Sequence, residues 1–341
     1  MNLSLLSHHN NIDLRSEREF LKGTIPGSIN IPILNDEEYE KVGKRYKAEG
    51  QEAATKLGFQ LVNDDLKKQR IDLWIDHIKD NPSCYIFCYR GGLRSKIASN
   101  WLRKENIRVR ILQGGYKKFR SYIISQHIDI SNYNKSWNVI GGLTGSGKTK
   151  LLNHFEESID LEKIANHRGS AFGKNISEQP SQANFENIIT YKYLNHIHPK
   201  IYIEDESRTI GFVTLPESWY AKMQSSDLII LKVSNEERVH NILKEYVLEA
   251  LKDFNNEDAL LKRYLSSLDK IKKRLGLELY KKISSLMIDA FNKNKNHEDW
   301  ISKLLINYYD PMYNYKLMKR KKYVIHTGDY ISCYTILKET K

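Results

Sequence analysis

The run Gly142-Leu143-Thr144-Gly145-Ser146-Gly147-Lys148-Thr149 constrains this chain more than any other stretch. It satisfies the spacing G-x-x-x-x-G-K-[ST] directly after an apolar segment. Its glycines let backbone amides wrap phosphate oxygens, Lys148 supplies a cation, and the Thr149 hydroxyl is placed to reach Mg²⁺. Such a loop works only between a strand and a helix. Trp137-Asn138-Val139-Ile140-Gly141 has the apolar content of that strand, and residues 148–157 read as the helix. A parallel α/β sheet is therefore expected around it.

A second glycine-rich turn lies upstream. Cys84-Tyr85-Ile86-Phe87 reads as a short strand that delivers Cys88 into Cys88-Tyr89-Arg90-Gly91-Gly92-Leu93-Arg94-Ser95, and a helical pattern follows over 95–106. A free thiol, with a pKa near ~8.5, is mostly protonated at neutral pH. Converging amides, the N-terminal pole of the next helix and Arg90 or Arg94 all favour the thiolate. The same cradle suits a persulfide, a selenium adduct or a tetrahedral oxyanion. Cys84 and Cys333 lack such surroundings and read as structural. Three cysteines build no disulfide framework, and Cys84 and Cys88 have no downstream partner pair for zinc. No firm metal site is assigned, and a reducing cytoplasm is expected.

At 341 residues the chain suits two domains, each with its own core. Residues 1–128 alternate strands and helices: a strand at 12–15, a turn-rich run at 23–32, a helix at 64–80 and a strand at 109–112 stopped by Gly114-Gly115. Residues 129–135 are polar and without period, which marks a linker. The second domain, 136–341, carries the P-loop, strands at 201–206 and 227–233, a helical segment over about 235–306 and a final strand near 323–327. No uninterrupted apolar run approaches the ~18 residues of a membrane span, so none is expected. Met1-Asn2-Leu3-Ser4 does not read as the start of a secretory signal.

Several polar stretches admit two readings. Asp205 ends an apolar strand, as an acid holding the water shell of a metal would, or as an ordinary solvated strand end. His167, Arg168 and Ser170 lie among glycines, and Ser207 and Arg208 follow the acidic strand; both sets read as anion contacts or as surface loops. Tyr308-Tyr309-Asp310-Pro311-Met312-Tyr313, followed by Lys316 and Lys319-Arg320-Lys321-Lys322, suits RNA through stacking and phosphate contacts, or is a solvated basic stretch. The net charge of +12, from 54 basic and 42 acidic residues, suits a polyanionic partner. A coding bias toward lysine, asparagine and isoleucine explains it equally.

Together with Asp13-Leu14-Arg15, Glu19-Phe20, the 23–32 run and Leu112-Gln113-Gly114-Gly115-Tyr116, the Cys88 turn makes nearly all of the first 125 residues resemble a rhodanese domain. Thr24 is a departure, since rhodaneses commonly carry histidine there; the position is read as architectural. A rhodanese-like domain followed by a P-loop NTPase-like parallel-sheet domain with a helical C-terminal insertion resembles the bacterial tRNA 2-selenouridine synthase family. The likeness also draws on Val42-Gly43-Lys44-Arg45-Tyr46-Lys47 and on residues 165–173, 204–211 and 308–313.

That resemblance implies conversion of wobble 2-thiouridine in tRNA to 2-selenouridine with selenophosphate, through an S-geranyl intermediate made from geranyl diphosphate. It implies Cys88, with Arg90 and Arg94, for the selenium step. Gly142, Thr144, Gly145, Ser146, Gly147, Lys148 and Thr149 would bind a diphosphate or nucleotide. Co-substrates rather than a tightly bound cofactor are expected, with Mg²⁺ as an optional ion on Thr149 and Asp205. The expected partner is tRNA, with no membrane; protein partners stay open, a supplier of selenophosphate being one option. A rival reading stays open on the residues alone: a kinase-like P-loop ATPase fused to a plain rhodanese sulfurtransferase. It draws on Thr149, Asp205 and the run Val233-Ser234-Asn235-Glu236-Glu237-Arg238.

Overall fold

Strands of two or three residues, each closed by a charge or a turn, build the first sheet. The computed structural model describes residues 10–128, 130, 134–156, 158–254, 256–292 and 296–339. It is an α/β structure of two compact units. In the first unit, β1 (Ile12–Asp13), β2 (Ile29–Asn30), β3 (Tyr85–Phe87) and β4 (Arg110–Ile111) pair in parallel in the order β2-β1-β3-β4. Parallel strands are covered on both faces, and Ile12, Leu14 and Ile86 are accordingly fully buried. The helices Asp64–Asp80 and Leu93–Lys104 bring Trp74 and Trp101 together, ring centroids 6.1 Å apart.

The first unit also contains Pro180–Ile197, which the sequence reading kept with residues 136–341. Its helix Gln182–Asn195 starts at Ser181, whose hydroxyl accepts from the Asn184 amide. Asn184 accepts from the Thr24 N–H at 2.8 Å, and Asn187 donates to the Thr24 carbonyl at 2.8 Å. Arg120 binds both Asn187 and Glu186. These contacts are distant in sequence, so the local pattern carries no sign of them. Of the expected linker at 129–135, residues 129 and 131–133 lie outside the described residues.

The second unit is built on β5 (Ser136–Gly141), β6 (Ser158–Ile159), β7 (Lys200–Glu204), an antiparallel hairpin of β8 (Thr209–Ile210) and β9 (Val213–Thr214), β10 (Asp227–Leu231) and β11 (Val324–Gly328). The main sheet is parallel, in the order β11-β10-β5-β7-β6. β5 lies at its centre, with Val139 and Ile140 fully buried. The helix after the P-loop spans only Lys148–Leu152, short of the expected 157. Phe155 turns inward there and stacks on Tyr202, centroids 4.1 Å apart.

The helical segment runs from Asn235 through Arg320 and has its own core around Leu268, Ile283, Met287 and Leu304. Gly276 (φ +85) turns the chain between the helices Glu257–Leu275 and Leu277–Asn292.

Candidate functional site

β3 hands the chain to Cys88, which is buried at the start of its loop. Two glycines make that tight turn possible. Gly91 (φ +63) and Gly115 (φ +54) adopt left-handed backbone, and each lies against another segment. A Cβ on Gly115 would stand 2.2 Å from the Cys88 carbonyl, and one on Gly91 would stand 2.4 Å from that of Leu112. The Tyr116 N–H donates to the Cys88 carbonyl at 3.1 Å and the Lys117 N–H to that of Tyr89 at 2.8 Å. The Gly114-Gly115 run thus clamps the cysteine loop.

Arg94, in the first turn of Leu93–Lys104, pairs with Glu19 at 2.6 Å. Glu19 itself completes a capping box with Ser16, so the guanidinium sits on a fixed support. Burial pushes the Cys88 thiol pKa up. The Ser95 hydroxyl, the Arg94 charge and the amides of Ser95 and Arg90 outweigh burial and hold it below the usual thiol value. Burial raises Cys84 and Cys333, which have no comparable support. Behind the loop, Arg15 binds Asp13 at 2.6 Å and the Gly23 carbonyl at 2.6 Å, and lies 4.0 Å over the Tyr116 ring. Thr24 donates to Asp13 at 2.8 Å, an architectural use of the position.

The P-loop has an external brace. Arg238 donates to the Thr144 carbonyl at 2.9 Å and pairs with Asp310 at 2.6 Å, while Asn241 donates to the Gly145 carbonyl at 2.9 Å. Gly145 (φ +81) has no room for a side chain, since a Cβ would stand 2.9 Å from the Arg238 carbonyl. Lys148 begins the following helix and donates to the Gly142 carbonyl at 3.2 Å. Gly142, Thr144, Gly145, Lys148 and Asn241 border a cavity of about 850 Å³. Tyr246, Tyr308, Tyr309, Met312 and Tyr313 supply an aromatic and apolar wall.

Carboxylates crowd the other side. The Glu204 carboxylate accepts from the Glu162 amide at 2.9 Å and lies 3.5 Å from the Thr149 hydroxyl. Gly169 (φ +61) lets backbone pass where a Cβ would lie 2.4 Å from Glu162 and 2.8 Å from Glu206. Burial pushes up the carboxyl pKa values of Glu162, Glu204 and Glu206. Repulsion within the acidic cluster adds to it for each, and Lys148 opposes it for all three. Asp205 is raised by burial against the pull of its partner Arg320, which also donates to the Met223 carbonyl at 2.7 Å. Among the described residues, no group of three or more His, Cys, Asp or Glu is placed to hold a metal.

A family model described as the tRNA 2-selenouridine synthase AAA domain matches residues 135–341, and one described as a rhodanese-like domain matches residues 3–122. The chain belongs to the tRNA 2-selenouridine synthase family. A curated synthase from Shewanella denitrificans (strain OS217) is 42% identical over 346 aligned positions, covering 97% of this chain and 94% of its own. That from Shewanella frigidimarina (strain NCIMB 400) is 42% identical and covers 95% and 93%. A synthase from Shewanella sediminis (strain HAW-EB3) is 39% identical and covers 98% and 95%. A solved N-terminal domain of a Clostridium difficile 630 protein, described as ATP/GTP-binding, is 31% identical and covers 36% of this chain and 95% of its own. Its TM-score is 0.33, too low to argue a shared fold.

In this synthase family member, Cys88 lies in the loop and Arg94 in the first turn of the helix that follows, while the Arg90 side chain is exposed and its amide faces the thiol. The P-loop cavity gathers Gly142, Thr144, Gly145, Ser146, Gly147, Lys148 and Thr149, with Arg168, Ser170, Asp205 and Ser207. His167 and Arg208 are not among its lining: His167 bridges to Lys174, and Arg208 pairs with Glu217 at 2.6 Å. Thr149 faces Glu204, and Asp205 faces Arg320. The Tyr308-to-Tyr313 run, read from sequence as RNA-facing or solvated, turns residues into the cavity. Sequence reasoning missed Glu162, and it met Glu206 and Arg238 only within the 204–211 and 233–238 runs, without a site role for either. Only the tyrosines left a signal, since Tyr309 and Tyr313 are four apart and share a helix face.

Proposed function

We propose that this chain, as a tRNA 2-selenouridine synthase, exchanges sulfur for selenium on wobble 2-thiouridine in two steps at two anion sites. One observation carries the division: Cys88 is held toward thiolate beside Arg94, whereas Lys148 faces buried carboxyls that favour their protons.

In the first step the P-loop amides and Lys148 grip geranyl diphosphate by its phosphates, and the tyrosine wall takes the chain. The thione sulfur attacks the allylic carbon. A C–S bond forms, the C–O bond breaks, diphosphate departs, and Glu206 accepts the N3 proton of the base. In its ionised form a carboxylate whose pKa burial has raised is a stronger base than an ordinary one, which suits that transfer. Mg²⁺ fits the residues present, because Thr149 stands beside Glu204, where crowded carboxylates welcome a cation. Thr149 and Glu204 would hold it, since Asp205 is committed to Arg320. When bound, the ion neutralises the departing diphosphate.

In the second step the Cys88 loop and Arg94 hold selenophosphate. Alkylation has made sulfur a better leaving group. Selenium adds to C2, the C2–S bond breaks with its pair on sulfur, and geranylthiol leaves after taking up a proton. Water then cleaves the Se–P bond and releases phosphate, so no oxidant or reductant is consumed. The reaction belongs in the cytoplasm, with its tRNA substrate and free thiols.

Purified protein incubated with 2-thiouridine tRNA, geranyl diphosphate and selenophosphate, with and without ATP, tests this reading by nucleoside mass analysis. Selenouridine is expected without ATP. Phosphate release from ATP with unchanged nucleosides would instead support the kinase-like rival.

A further inference from the structure

The first unit holds another cavity that the two steps above leave unused. It measures about 280 Å³ and has apolar walls that include Val42, Ala54, Phe59, Leu93, Ile97 and Trp101. Gly50 (φ +81) breaks the helix Asp36–Leu61, and residues from both arms line the cavity. Phe59 is 50% exposed and Leu93 46%, so part of this apolar surface faces water.

We propose that this cavity receives the ten-carbon chain of the S-geranyl uridine while selenium is exchanged at Cys88. The inference rests on the two-step reading. Its first support is position: Leu93 and Arg94 border the cavity and also begin the helix that leaves the Cys88 loop. Arg94 is the same cation that draws the Cys88 thiol toward thiolate. A substituent on a sulfur reacting at Cys88 therefore has an apolar refuge beside it.

Size is the second support. A dry cavity of roughly 150 Å³ accepts six-carbon benzene, and scaling by carbon count gives roughly 250 Å³ for ten carbons. The third support is charge. The helix arm that contributes Val42 and Tyr46 also exposes Lys41, Lys44, Arg45 and Lys47. Lys44 and Arg45 are braced by Glu40 and Glu49 one turn away. A row of cations beside an apolar hole matches a chain carried on a polyanion, whereas a free prenyl alcohol has no use for it.

The test compares tRNAs bearing S-geranyl- and S-methyl-2-thiouridine as substrates for the full-length protein with selenophosphate. Ala54→Phe fills the cavity and is expected to lower kcat/KM for the S-geranyl tRNA at least about tenfold relative to the S-methyl tRNA. Phe59→Ala changes a half-exposed residue and decides the matter should the first variant fail to fold. It is expected to raise KM for the S-geranyl tRNA about fivefold, with a smaller change for the S-methyl tRNA. Equal losses on both substrates, or no loss on either, overturn the cavity assignment and leave the two-step reading standing. A wild-type protein that leaves the S-geranyl tRNA unconverted overturns both.

Discussion

The two loops share one plan, yet the acids beside them are shifted in opposite directions. Each runs from a buried parallel strand through a glycine-bearing turn into a helix, at Phe87–Leu93 with Gly91 at positive φ and at Gly141–Lys148 with Gly142, Gly145 and Gly147 so. The Cys88 loop has Arg94 and a hydroxyl behind it, and its acid is pulled toward the anion. The P-loop has Glu162, Glu204 and Glu206 beside it, and these acids are pushed toward the neutral form. Backbone geometry creates an anion cradle in both places. What packs against the cradle decides whether the acid there is drawn toward its anion or toward its protonated form.

The comparison breaks first at its two key side chains. Cys88→Ser should lower selenouridine formation on the order of a thousandfold while S-geranyl-2-thiouridine still forms. Nucleoside mass analysis reads both products. Lys148→Ala should weaken geranyl diphosphate binding on the order of a hundredfold, since it removes a charge-assisted contact to phosphate. Calorimetric titration checks it, and unchanged affinity would remove the P-loop from the prenyl step.

Smaller changes sharpen the contrast. Gly115→Ala places a methyl against the Cys88 carbonyl in left-handed backbone, and should destabilise the protein by about 2–3 kcal/mol. Thermal unfolding measures that loss. Arg94→Met removes the cation that opposes burial of the thiol. Alkylation of Cys88 by iodoacetamide should then require higher pH than in the wild type.

The carboxyl cluster sets a pH trend of the opposite sense. Its folded-state pKa values lie above the ordinary carboxylate range, so the stability it contributes is complete below that range and is lost as pH rises through the folded values. Urea midpoints should fall on going from mildly acidic to mildly alkaline pH. Glu206→Gln should flatten that trend.

Legibility followed locality. Both loops were readable because each packs its chemistry into eight consecutive residues between a strand and a helix. The α/β class and the final strand beside β10 were readable from alternating apolar runs. Arg238 was not, although it holds the P-loop, because its partners Thr144 and Asp310 are distant in sequence. Glu162 and Glu206 reach the cavity only through the fold around Gly169. The helix Gln182–Asn195 looks local to the second half, yet its asparagines bind Thr24. Asp205 had the right place on its strand for a metal acid, but Arg320 meets it there.

The most direct test of separate sites supplies the intermediate and bypasses the first step. Lys148→Ala and Cys88→Ser variants would each receive purified S-geranyl-2-thiouridine tRNA with selenophosphate and no geranyl diphosphate. Selenouridine formation is the readout. Lys148→Ala should form selenouridine at nearly the wild-type rate, and Cys88→Ser on the order of a thousandfold more slowly. Failure of Lys148→Ala on this substrate, or turnover by Cys88→Ser at a rate near that of the wild type, would contradict the division of labour between the two loops.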